Sequence, residues 1–138
     1  MNKLTIEQAM HVADCLHEIA NAFAGYVISM QDSLAPKQKE QLIDDQAKIL
    51  ETANNLLNYA SDLVFIDIDK QMKQLDSINI TITEKLEKLA EIQKVIEISA
   101  SLLILSQAII SARPLDIAKA TKKVTQNLGI KIKKDGSV

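Results

Sequence analysis

The chain has one cysteine, three glycines, two prolines and no tryptophan among 138 residues. One cysteine excludes a disulfide framework and a cysteine-rich zinc site. It fits a reducing compartment, so a cytoplasmic location is expected. So few glycines and prolines exclude an all-β sandwich, which needs a turn about every ten residues. The only aromatics are Phe23, Tyr26, Tyr59 and Phe65, so the core must be built from Leu, Ile, Val, Ala and Met. The first ten residues, MNKLTIEQAM, carry one lysine and no apolar run, and are not expected to act as a secretory signal. The longest uncharged run covers 98–112. As a helix it would reach about 22 Å, short of a bilayer core of about 30 Å.

What is present is ordinary for one globular domain. Apolar residues are 47% and charged residues 25%, which excludes disorder for most of the chain. The net charge of −2 is unevenly spread. Residues 1–113 hold 10 basic and 16 acidic side chains, and 114–138 hold 6 and 2. An acidic body therefore carries a basic end, suited to an acidic partner, a membrane surface or the body of a second copy.

Apolar spacing places the helices. Thr5 with Gln8 forms a capping box, and Ala9, Val12, Leu16, Ile19, Phe23, Tyr26 and Met30 follow at intervals of three or four. Gly25 interrupts this first helix and is expected to admit a close backbone neighbour. The helix should stop near Ser33, ahead of Pro36. A second helix begins at Pro36, with Leu42, Ile49, Leu56 and Leu63 beside Ile43, Leu50, Leu57 and Val64 as seven-residue repeats.

Residues 77–83 are β-branched and poor in helix formers. Yet Ile68, Leu75, Ile82, Leu89, Ile96, Leu103 and Ile110 repeat straight through them. Two readings stand. Either the chain turns near Asn79 and a third helix starts with the box Thr81 to Glu84, or one helix runs over 37–112. Compactness favours the turn. A short last helix covers about 115–128, stopped by Gly129. The fold class predicted is all-α: an antiparallel bundle of three long helices plus a short C-terminal helix, with heptad-like packing. Residues 1–128 form the single domain, and 129–138 a basic, mobile tail.

Reactive side chains concentrate in the first helix. His11, Cys15 and Glu18 share one face, with Asp14 beside them, and are weak candidates for a transition metal. Their surface position argues instead for a solvated polar face, and no metal or other cofactor is expected. Asp62, Asp67, Asp69 and Asp76 lack the glycine-containing loop of a calcium site. Both histidines lie in one helix and no phosphate-cradling glycine loop exists, so catalysis is not expected. Gln93, Gln107, Ser99 and Ser106 lie along the aliphatic seam of the third helix, where buried polar groups can fix register.

The function predicted is a non-catalytic helical interaction module that docks a helix face on another protein. Adaptor, chaperone, toxin-neutralising and assembly roles all fit. Covering so many stripes calls for self-association. The alternative is a membrane-active protein that inserts 98–112. Under either reading the contact residues are Leu102, Leu103, Leu105, Ile109, Lys122, Lys123, Lys131, Lys133 and Lys134. Nucleic acid is not an expected partner, because the body is acidic and the basic end lacks stacking aromatics.

Overall fold

A computed structural model describes residues 2–88 and 91–130. The described chain is mostly helical, with five α-helices. They are α1 (Ile6–Ser29), α2 (Pro36–Asn55), α3 (Ile68–Lys85), α4 (Ile92–Ser111) and α5 (Pro114–Leu128). A 3₁₀ turn (Leu56–Asp62) follows α2, and another (Leu86–Lys88) follows α3. Strands β1 (Asn2–Lys3) and β2 (Val64–Phe65) pair antiparallel, Asn2 opposite Phe65. This small ribbon fixes the entry to α1 and buries Phe65 beneath it.

Local chemistry explains the helix ends. The Thr5 hydroxyl accepts from the Gln8 N–H (3.1 Å), and Gln8 Oε1 accepts from the Thr5 N–H (2.8 Å). Pro36 opens α2 and Pro114 opens α5, where a missing N–H costs nothing. At the end of α5, Gly129 is left-handed (φ 70°). Its N–H reaches the Gln126 carbonyl, and the Ile130 N–H reaches that of Thr125 (2.9 Å). This double bond pattern closes the last turn. Ala112 makes the same left-handed turn after α4 (φ 55°) without glycine's freedom.

Several expectations are corrected. The chain does not turn at Asn79, nor does one helix cover 37–112: α3 runs unbroken through 77–83. Burial of Ile78 and Ile82 outweighs the few tenths of a kcal/mol each β-branched residue costs a helix. The Thr83 hydroxyl satisfies itself on the Asn79 carbonyl (2.9 Å). Thr81 and Glu84 therefore lie inside a helix and cap nothing. The breaks fall instead at 56–67 and after Lys85. In α2 the buried seam is Leu42, Ile49 and Ala53, continued by Leu56 and Leu63, while Ile43 and Leu57 face out.

Helix α1 packs on α2 and α3, α4 packs on α2 and α5, and α5 packs on α3. His11 meets Asp76, and Glu18 meets Asn79. Both links advance along the two helices together, so α1 and α3 run the same way. Asp45 meets Ser99, and further on Tyr59 shares a cleft with Ile110. Helices α2 and α4 thus also run the same way. These pairs replace the three-helix antiparallel arrangement. Connections of chain crossing from one pair to the next make parallel neighbours possible.

Gly25 is corrected too: a Cβ built there meets nothing within 4 Å. No close backbone requires it. Gly25→Ala should raise stability by about 0.5–1 kcal/mol, the helix-propensity difference. The midpoint of urea unfolding measures this, and an unchanged or lower midpoint would contradict it.

Candidate functional site

Two places bring chemically distinct groups together. The first lies between α1 and α3. His11 and Cys15 sit one turn apart on α1, and α3 delivers Asp76 against both. In the Nε2–H tautomer His11 donates to Asp76 Oδ1 at 2.5 Å. The Cys15 thiol donates to the same oxygen at 3.5 Å. Cys15 is buried, whereas about half of the His11 and Asp76 side-chain surfaces is open to solvent. Of the expected set, His11 and Cys15 are brought together and Glu18 is not. The Glu18 carboxylate accepts from the Asn79 amide instead.

Sequence reasoning weighed Asp76 only with Asp62, Asp67 and Asp69, and did not join it to Cys15, 61 residues away. The signal available was modest: Asp76 adjoins Leu75 in the α3 seam, so it borders the face that packs on α1. Asp67 caps α3, its side chain accepting from the Lys70 N–H (3.1 Å), which accounts for one of the four aspartates by helix capping alone.

Burial pushes the Cys15 thiol up to about 12, helped by the charge and hydrogen bond of Asp76 and by the charges of Glu18 and Asp14. The thiol is therefore protonated at neutral pH and is a poor nucleophile. At pH 8 its alkylation by iodoacetamide should be at least about tenfold slower in the folded chain than in urea. The raised value also means that this group contributes stability below pH 9, lost as pH rises from 9 through about 12. Equal alkylation rates in the two states would contradict this environment.

The second place is the corner where α4 turns into α5. One cleft of about 490 Å³ runs between Ile104, Gln107, Ala108 and Ser111 of α4 and Lys119, Ala120 and Lys123 of α5. A second of about 600 Å³ is lined by Ile66, Ala112, Pro114 and Leu115. Arg113 and Asp116 line both, so the two clefts adjoin at this pair. Ile104 is 58% exposed and Leu115 70%. Apolar Ile66, Ile104, Ala108, Pro114 and Leu115 line the two clefts together with basic Arg113, Lys119 and Lys123. Among the described residues no histidine or cysteine lines them, and the one carboxylate, Asp116, faces Arg113 at 3.9 Å.

The expected contact residues divide three ways. Leu102, Leu105 and Ile109 are fully buried within the chain's own core, so they offer no surface to a partner: this is a correction. The side of α4 that meets α2 and α5 claims them. Leu103 is half-buried, and Lys122 and Lys123 are exposed on α5. Lys131, Lys133 and Lys134 lie outside the described residues. Gln93 and Gln107 are exposed rather than set in the seam, whereas Ser99 and Ser106 are buried. Sequence reasoning missed the exposed Ile104 and Leu115, because neither breaks the apolar pattern of its helix.

Comparison with protein-family models, with curated proteins and with solved structures finds no match to this chain.

Proposed function

We propose that this chain is a non-catalytic helical interaction module. It acts as a bundle with heptad-like packing and presents the α4–α5 corner to another protein. The observation that carries the reading is that the two clefts adjoin at Arg113 and Asp116. Singly scattered surface apolars such as Ile28 need no explanation. Apolar Ile104 and Ala108 in one cleft and Pro114 and Leu115 in the other, beside Arg113, Lys119 and Lys123, fit the apolar face of an acidic amphipathic helix. Adaptor, chaperone, toxin-neutralising and assembly roles all remain compatible with such a surface.

Self-association acquires a different physical basis here. The long aliphatic seams are already covered within one chain, since Leu42, Ile49, Leu75, Ile82, Ile98 and Leu102 are buried in it. What is left for a second copy is the basic corner against the acidic body. Such contact weakens with salt.

The rival reading, insertion of α4 in a membrane, draws support from one observation. Ile92–Ser111 is 20 residues long with mean hydropathy 1.5. Against it, α4 carries Lys94 and Glu97 and turns its buried face to α2 and α5.

Sedimentation of the purified chain, alone and with cell extract, tests the proposal. The expected result is a defined protein complex, of two copies or with a partner, that is lost in Leu115→Asp and in the pair Lys119→Glu, Lys123→Glu. A lone 15.3 kDa chain under both conditions would overturn it. So would flotation with liposomes that Leu103→Asp abolishes while the fold persists.

A further inference from the structure

We propose that His11, Cys15 and Asp76 together bind one divalent transition-metal ion of the zinc type, bridging α1 and α3. The inference rests on geometry and stands apart from the docking corner. One donor atom from each residue lies within 4.8 Å of the other two. Bonds of about 2.0–2.3 Å to nitrogen, oxygen and sulfur set the donors of a tetrahedral zinc site about 3.5 Å apart. Cys15 Sγ and Asp76 Oδ1 already stand at 3.5 Å. His11 Nε2 and Asp76 Oδ1, at 2.5 Å, must part by about 1 Å. Both side chains are half-exposed and have room to do so.

The donor set selects the ion. One imidazole, one thiolate and one carboxylate suit zinc, cobalt or nickel, and offer too few oxygens for calcium or magnesium. His11 and Cys15 are four residues apart on one rigid helix, so two donors are preset. Asp14 adjoins Cys15 in the sequence, Glu18 lies three positions on, and both charges act on its thiol. Their negative charge favours a cation at this spot. Glu18 itself is held by Asn79, so it is a neighbour and not a ligand. With three protein donors the fourth position faces solvent and takes water. On binding, the Cys15 thiol releases its proton to water and forms a sulfur–metal bond. The imidazole binds through Nε2 in the tautomer that keeps its proton on Nδ1.

Such an ion would cross-link residues 61 and 65 positions apart in the chain, so it should raise the thermal midpoint as well as bind. The test is titration of the full chain with Co²⁺, followed by displacement with Zn²⁺. Expected are one ion per chain, a thiolate-to-cobalt charge-transfer band, visible bands of tetrahedral intensity, and a higher unfolding temperature with Zn²⁺. His11→Gln alters a half-exposed side chain and should keep the helical circular-dichroism signal while weakening affinity at least about tenfold. Asp76→Asn should do the same. Glu18→Gln should keep the band. Absence of the charge-transfer band, His11→Gln binding as tightly as the parent, or loss of the band in Glu18→Gln would each overturn the assignment.

Discussion

Ser99→Ala should destabilise the fold by about 2–3 kcal/mol, far more than a serine hydroxyl on a surface helix contributes. The reason is its partner. Asp45 is 2% exposed and Ser99 1%, and the Ser99 hydroxyl donates to Asp45 Oδ2 at 2.7 Å. The only other donor to that carboxylate among the described residues is the Gln41 amide, at 3.1 Å to each oxygen. Removing the hydroxyl leaves a carboxylate between α2 and α4 with the Gln41 amide as its one remaining described donor. The double change Asp45→Leu with Ser99→Ala removes both groups and should recover most of the loss. Urea unfolding of the four members of this cycle measures the coupling. Additive losses across the cycle would show that the pair is not formed.

Leu102→Ala should cost about 3 kcal/mol, whereas Ile104→Ala two positions on should change stability by less than about 0.5 kcal/mol. Leu102 is fully buried, and Ile104 points out on the α4–α5 corner. The contrast fixes which way α4 faces. A cavity left by a buried leucine loses both transfer energy and packing contacts, and an isoleucine that is 58% exposed loses little of either. Comparable losses at both positions, read from thermal or urea unfolding, would mean that α4 is rotated or differently covered.

Much of the fold was legible wherever a decision is local. Thr5 with Gln8, Pro36, Pro114 and Gly129 each mark a helix end through their own backbone chemistry, and the helices begin or stop there. The chain breaks were not legible, because they follow from tertiary packing. The segment 77–83 looks like a turn by propensity, but Ile78 and Ile82 gain more from burial than they lose in a helix. Conversely, Glu84 to Lys88 are good helix formers, and nothing in their composition marks the end of α3 at Lys85. The unbroken repeat from Ile68 to Ile110 misled for the same reason. In α4 the buried side runs through Val95, Ile98, Leu102, Leu105 and Ile109, and Ile96, Leu103 and Ile110 only flank it.

The candidate site was legible by half. Helical spacing alone brought His11 and Cys15 together, but no spacing rule reaches a third group more than sixty residues away. Glu18 was the wrong third member because Asn79 draws its carboxylate aside. Asp45 was hidden differently. It occupies a seam position between Leu42 and Ile49, which the apolar repeat passes over.

Amide hydrogen exchange of the lone chain in aqueous buffer, resolved along 92–111, tests most directly that the aliphatic seams bury one another within a single chain. The expected result is that the amides from Ile98 to Ile109 exchange slowest of all and only through global unfolding, and that those of 77–83 are protected as helix. Exchange in α4 as fast as in an exposed helix would contradict the account. So would protection of α4 that arises only with lipid or at high protein concentration.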